Sequence, residues 1–519
     1  MWNETHPFSN IYITAAIAII PLLWIFLSML KFKLSAFKAS LVALIISALI
    51  AFMVFKMPFH FIGQATLEGM TLGLWPILFV IFAAIFTYNL SVKSGAMGKI
   101  KTMLSNISPD RRVQVLILAF AFGGFLEAAA GFGTAVAIPA GILAAMGFEP
   151  VFAAVICLVA NTIPVAFGAV GIPVITLANL TGLSLHTLTL YIALQLLPFV
   201  LILPAFIVIL TTGSIKGLRG VIGITAASGI AFGVVQTLVA MMVGPELAAI
   251  AGSISSLGVL VFWAKLFPVK QPWSFKGEII KDTIKYKSIK LKEGLLAWLP
   301  YILILVLILM SRLPILNFLN FNFKYQIYSG PGGKPMSFSL ASNPGILILL
   351  AAILGGVIQK VYLKDMMGIA GKTFKQISKT IITVLSIVSL AKVMGFSGMI
   401  SSIAQAFSSL TGPFFPLISP LLGALGTFIT GSDTSSNVLF GELQKQTAIQ
   451  IGSNYNWITA ANASGATAGK MISPQSIAIA TSATGLSGFE GKILARTIKY
   501  SLAFVIFMGV LVYVVNLVI

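Results

Sequence analysis

Apolar residues run in stretches of about 20 along most of the chain, each long enough to cross a bilayer as a helix. The runs fall near 11–30, 36–55, 70–92, 150–183, 185–213, 221–244, 246–267, 295–316, 345–363, 380–399, 454–483 and 499–519. Two further stretches, 113–146 and 413–441, are apolar but broken by glycine, and they predict hairpins that enter the membrane and return. The spans at 150–183 and 454–483 are interrupted as well, by Pro164 and by Gly465 and Gly469. The expected fold is an all-α polytopic membrane protein of about 12 transmembrane helices plus two re-entrant hairpins.

The two broken stretches carry one pattern twice. The first reads FGGFLEAAAGFGTAVAIP (122–139) and the second GALGTFITGSDTSSNVLF (423–440). Gly123, Gly131 and Thr134 match Gly423, Gly431 and Thr434 at a constant offset. Asn161, Gly168 and Pro173 then match Asn462, Gly469 and Pro474, and Ser94-Gly95 matches Ser397-Gly398. Single glycine matches are cheap in a chain with 47 glycines, but the ordered series is not. The reading is a first repeat over 1–213 containing hairpin 113–146. A connecting region over 214–294 holds two spans and a basic loop, and a second repeat over 295–519 contains hairpin 413–441. The loop before the first hairpin is basic and its counterpart, 400–412, is uncharged, so the repeats are expected to be inverted in the membrane. Inverted repeats with paired broken elements are the signature of a secondary transporter with a site near the midplane.

Charge fixes the orientation. The loops at 31–38, 93–112, 214–220, 264–293, 360–379 and 485–499 together hold 26 of the 33 Lys and Arg. Threading the spans puts all six on one side, which the positive-inside rule makes cytoplasmic, with both termini outside. The segment 317–344 is then external. This distribution explains the net charge of +20 without nucleic acid. With 58% hydrophobic residues, 9% charged and a mean hydropathy of +1.02, no soluble domain is indicated. The single cysteine, Cys157, excludes a disulfide framework and a Cys-based metal site. The start, MWNETHPFSN, lacks the charged region of a cleavable signal, so the first span is expected to be retained.

Charged side chains at membrane depth cost roughly 2.5–3.5 kcal/mol on insertion scales, so those that persist usually have a task. Four stand out: Glu127, Asp433, Lys470 and Lys392. Burial favours the neutral form of a carboxyl group, which suits Glu127 or Asp433 to pick up and release a proton. Either acid equally suits a structural role, capping a hairpin helix or pairing with a lysine. Asp433 lies in TGSDTSSN (430–437), where hydroxyls and backbone N–H groups at a helix N-terminus favour a carboxylate ligand. Gly431, Ser432, Thr434, Ser435, Ser436 and Asn437 are the binding candidates there, as Gly131, Gly133 and Thr134 are in the first hairpin.

Lys470, in NASGATAGKMISPQS (462–476), suits pairing with Asp433 or attraction of an anion. The string fails as a P-loop, because Ser464 stands where a glycine is needed and Met471 replaces the Ser/Thr. Lys392 suits substrate attraction or snorkelling toward the outside. Asn161 and Asn462 are placed to bind substrate or to patch carbonyls freed where each helix breaks. His6, His60 and His186 are isolated, so neither a metal site nor a nucleophile–His pair is present, and no cofactor is expected.

At these residues the chain resembles the lactate permease family of bacterial and archaeal proton-coupled transporters. The resemblance is carried by GGFLEAAAGFGTAVAIP (123–139), VANTIPVAFGAVGIP (159–173), GSDTSSNVLFGELQ (431–444), GKMISPQSIAIA (469–480) and GLWPILFVIFAAI (73–85). It spans most of the chain and weakens at 221–293 and 317–344. It implies uptake of L-lactate, and often D-lactate or glycolate, by proton symport across the inner membrane of a prokaryote, with the proton as coupling ion. By motif it groups Glu127 and Gly131–Thr134 in one hairpin. Ser432 to Asn437 fall in the other, beside Lys470, Ser473 and Gln475. The paired hairpins are also similar to those of elevator transporters of the ion-transporter superfamily. The resemblance thus implies a small monocarboxylate as partner, whereas the residues alone stop earlier, at an inverted-repeat transporter for a small anion in a lipid bilayer. They leave open a sodium-coupled carrier of another organic anion, and homo-oligomerisation. A channel would need a continuous polar pore, and a membrane enzyme a nucleophile, metal or redox group that is absent from the pattern.

Overall fold

The computed structural model describes residues 7–105, 107–131, 133–275, 289–311, 322–339, 343–486 and 488–519. Among these, 11 helices are long and apolar enough to cross a membrane, or 12 if the pair Ile11–Ala18 and Ile20–Met29, bent by 41°, is one span. The protein is therefore a polytopic helical membrane protein. The only strands among the described residues, Asn322–Tyr325 and Met336–Ser339, pair antiparallel in the segment expected to be external. The tip of that β-hairpin folds back into the helices, where the Tyr328 ring stacks on Phe396 at 3.8 Å. Residues 276–288 of the basic loop, and 312–321 and 340–342 around the β-hairpin, lie outside the described residues.

Most predicted spans appear within a few residues of their expected ends, and the departures share one cause. Leu363–Phe396 is a single helix of 34 residues that begins in what the charge pattern marks as a loop. Lys364, Lys372, Lys375 and Lys379 are exposed while Met366, Ile369, Thr373 and Ile377 are buried, an amphipathic turn spacing hidden by the average polarity. Likewise Phe59–Leu72 is helical ahead of the span expected at 70, and Ala96–Ser105 and Met399–Thr411 are helices inside expected loops.

Three of the basic loops meet at one end of the bundle. Asp110 caps the Arg111–Val115 helix and pairs with Arg112 at 2.7 Å. The Arg112 guanidinium also donates to the carbonyls of Gly217 and Arg219, and the Trp273 amide donates to Asp110. Loops 93–112, 214–220 and 264–293 thus share one buried ion pair whose hydrogen-bonding capacity is nearly filled, which is what makes such burial tolerable.

Both glycine-broken stretches turn back on themselves. Phe415–Thr430 ends at Gly431 (φ 70°) and Asp433–Gln450 begins immediately after. The second arm therefore continues beyond the expected end at 441. The arms are tied by the Ser436 hydroxyl, which donates to the Gly423 carbonyl at 2.7 Å. In the first stretch, the arm ending at Ala129 gives way to Gly131 (φ 62°) and Gly133 (φ 83°), then to the Thr134–Ala145 helix. Thr134 donates to the Gly131 carbonyl at 2.8 Å and fixes that tip.

Glycine decides how close these helices lie. A Cβ on Gly465 would fall on the Pro420 carbonyl, and one on Gly469 on the Ala424 carbonyl, so Tyr455–Lys470 and Phe415–Thr430 touch backbone to backbone. Without a hydrophobic driving force between helices in lipid, such contacts supply much of the association energy. Gly465→Ala is expected to lower the apparent Tm in detergent, losing at least about 1–3 kcal/mol through overpacking. Gly98→Ala, on the exposed face of a helix with nothing within 4 Å, should leave stability unchanged or raise it by up to about 1 kcal/mol. Equal effects of the two substitutions would refute the close-packing account.

Candidate functional site

The tips of the two helical hairpins face a cavity of about 690 Å³. Its wall includes Glu127 and Gly131 from the first hairpin and Gly431, Ser432, Asp433, Thr434 and Ser435 from the second. Lys470 and Gln475 complete the group, and Lys33 and Lys379, both from stretches expected to be cytoplasmic, stand on the lining too. These expected site residues therefore converge from positions up to about 350 apart in sequence.

The hydrogen bonds sort the charges. Glu127 is 3% exposed, and one carboxylate oxygen accepts from the Asn161 amide at 3.1 Å. Asp433 is also 3% exposed, yet neither carboxylate oxygen has a hydrogen-bond partner among the described residues. The Lys470 ammonium donates to the Gly431 carbonyl at 2.7 Å, at the end of the Phe415–Thr430 helix. Two carboxylates and one ammonium are close enough to interact electrostatically across the cavity.

Helix ends add to this field. The Asp433–Gln450 helix begins at the cavity, with Ser432 accepting from the Ser435 amide as N-cap. Pro474–Thr484 begins there too, with Pro474 and Gln475 on the lining. Each helix N-terminus carries a partial positive charge of roughly half a unit, while Lys470 offsets the negative end of Phe415–Thr430. The arrangement suits a small anion with hydroxyl or carboxylate oxygens, held by backbone N–H groups, the hydroxyls of Ser432, Thr434 and Ser435, and the Gln475 amide.

The other expected residues serve the frame around the cavity. Ser436 ties the second hairpin, Thr134 the first, and Gly133 starts the Thr134–Ala145 helix in a left-handed conformation. Asn437 donates to the Pro173 carbonyl at 3.0 Å and accepts from Asn462 at 2.9 Å. Asn462 in turn accepts from Gln444, so one buried polar chain joins three elements, Gly168–Thr181, Asp433–Gln450 and Tyr455–Lys470. Ser473 caps Pro474–Thr484. Lys392 lies away from the hairpin tips and pairs with Glu68 at 2.9 Å, beside a second cavity of about 840 Å³. Glu68 also accepts from the Tyr328 amide, so the pair anchors the β-hairpin tip. Glu68 escapes sequence reasoning because the polar residues around it dilute the apolar signal of its helix.

If Lys392 is a structural partner, Lys392→Ala strands a buried carboxylate and should cost about 3–5 kcal/mol. Lys392→Met combined with Glu68→Gln should recover most of that loss in thermal unfolding. A stable Lys392→Ala variant with weakened substrate binding would instead place this lysine on the substrate.

The chain is similar to known proteins over nearly its whole length. The L-lactate permease family model matches residues 14–519. An L-lactate permease of Streptococcus iniae is 44% identical over 86% of this chain and 93% of its own length. One from Escherichia coli strain K12 is 34% identical over 98% and 97%. A glycolate permease of the same strain is also 34% identical, over 98% and 97%. Among solved structures, the antimetabolite efflux pump MtrF of Neisseria gonorrhoeae aligns over 98% of this chain and 94% of its own, at 13% identity and a TM-score of 0.48.

Proposed function

The chain belongs to the L-lactate permease family, a family of transporters rather than enzymes, and from that premise we propose that it takes up L-lactate by proton symport, with D-lactate and glycolate as further substrates. The observation that carries the reading is Asp433, a buried carboxylate with no hydrogen-bond partner among the described residues, facing a cavity that also holds Glu127 and Lys470. A carboxylate left this way is poorly compensated when charged, and a second carboxylate across the cavity makes that worse. A proton on Asp433 removes one negative charge before the substrate anion arrives. Glu127, which accepts from Asn161, keeps its charge and its place.

In the proposed cycle the substrate carboxylate then settles at the two helix N-termini, with its hydroxyl toward the serine and threonine side chains. A site holding one proton and one monoanion has the same net charge as the empty, deprotonated site, so neither crossing moves extra charge through lipid. We read 1–213 and 295–519 as inverted repeats joined by 214–294, and both hairpins as re-entrant parts of one moving body, in the manner of an elevator. With the loops bearing Lys33 and Lys379 cytoplasmic and both termini outside, the hairpin cavity is the inward-facing one.

Uptake of labelled L-lactate into proteoliposomes, with an imposed pH gradient and no sodium, tests the coupling. Accumulation that a protonophore abolishes is expected; uptake that requires sodium refutes it. Asp433→Asn should lose gradient-driven accumulation while keeping counterflow of labelled lactate. Coupled uptake at the wild-type proton ratio in that variant would remove Asp433 as the carrier.

A further inference from the structure

The span 150–183 is broken in an unusual way. Between Pro150–Ala160 and the rest of Gly168–Thr181, three successive residues adopt left-handed backbone angles: Ala169 (φ 43°), Val170 (φ 59°) and Gly171 (φ 77°). Glycine accepts such angles freely, alanine does so at a cost, and for a β-branched valine they are a true outlier. Strain of this kind persists only where surrounding structure over-determines it, and it gathers at functional sites.

The surroundings of this turn are specific. On one side Gly171 lies against the backbone of Pro245, so tightly that a Cβ would stand 2.6 Å from its carbonyl carbon. On the other, Gly131 at the first hairpin tip packs on Ala169, whose methyl would be 3.3 Å from a Cβ added there. A Cβ on Gly168 would stand 3.0 Å from the Glu127 carboxylate oxygen Oε1. The other oxygen, Oε2, is the one that accepts from Asn161. One broken span therefore lies beside both oxygens of Glu127, bonding Oε2 through Asn161 and leaving no room for a side chain at Oε1. Gly168 and Ala169 also lie on the cavity wall.

We propose that the left-handed turn at 169–171 positions Glu127: the strained backbone sets Gly168 beside the carboxylate, with no room for a side chain between them, and holds it toward the cavity. This rests on reading the cavity as the transport site. The charged groups facing Glu127 there are Asp433 and Lys470, with Lys33 and Lys379 elsewhere on the cavity lining. A shift of the Glu127 carboxylate changes its distance to both neighbours, and so the proton affinity of the group as a whole.

Two mild substitutions test this in proteoliposomes. Gly168→Ala places a methyl against Oε1 while its own backbone angles suit alanine (φ −61°, ψ 157°). It should raise the KM for L-lactate by about tenfold and displace the pH profile of uptake. Ala169→Gly puts at a positive φ the residue that tolerates it, so the apparent Tm should hold or rise while the pH profile moves in the same way. In a Glu127→Gln background, measured as counterflow, Gly168→Ala should add nothing further.

Unchanged KM and pH profile in both variants would overturn the proposal. So would an equal effect of Gly168→Ala in the Glu127→Gln background, or a fall in Tm for Ala169→Gly, which needs no transport to be measured. Wild-type protein without proton-driven lactate uptake refutes the transport reading instead, and the Tm measurement still decides whether the turn stores strain.

Discussion

Two carboxylates and one ammonium at the meeting point of two hairpins impose the condition that the rest of the structure meets. In a low-dielectric interior a charge is held only by partners within a few ångströms, and the cost of leaving one unpartnered is several kcal/mol (about 3–5 when a buried pair is broken). Continuous helices cannot supply those partners, because their backbone groups are already consumed within the helix. Breaking the helices at Gly131, at 161–171, at Gly431 and at 471–473 releases N–H groups and carbonyls around one cavity. Lys470 shows the use made of them, since its ammonium donates to the freed Gly431 carbonyl.

That geometry in turn depends on close packing some distance away. Lys470 reaches the tip of the second hairpin because Tyr455–Lys470 lies directly on Phe415–Thr430, with Gly465 and Gly469 admitting the opposing carbonyls. The contact places the last turn of one helix beside the last turn of the other. Gly423 belongs to the same stripe and meets the Asn462 carbonyl. Asn462 then holds Asn437 and Gln444. Packing glycines and polar residues are thus successive parts of one support, running from a backbone contact to the wall of the cavity.

Much of this was legible in the chain because the signals were chemical contrasts. A carboxylate among alanines at Glu127, and seven polar or small residues in an apolar stretch around Asp433, mark the hairpin tips whatever the fold does elsewhere. The helices were legible where they are uniformly apolar and obscured where they are amphipathic. Leu363–Phe396 starts early for that reason, and Glu68 went unnoticed on Phe59–Leu72. Partners distant in sequence leave no local trace. Nothing near Lys392 announces Glu68, more than 300 residues earlier, as its partner. The left-handed turn is the harder case, because Ala169 and Val170 have no propensity for positive φ. Only Gly171 hints at it, and the conformation is imposed by Pro245 and the first hairpin rather than by the residues that adopt it.

The buried charges divide into two kinds, and the division bears on function. Asp110 with Arg112, and Glu68 with Lys392, have ionic partners at 2.7 and 2.9 Å and further hydrogen bonds to loop backbone. They lie away from the hairpin tips and join segments distant in sequence. Glu127, Asp433 and Lys470 share a cavity, yet among the described residues hydrogen bonds bind them only to an amide, to nothing and to a carbonyl respectively. A protein selected for stability alone gains by joining such charges directly, since both ends of the pair are then satisfied. Holding them apart leaves the site with hydrogen-bonding capacity that the scaffold pairs have already used. Incomplete pairing, rather than the presence of charge, distinguishes the site from its scaffold.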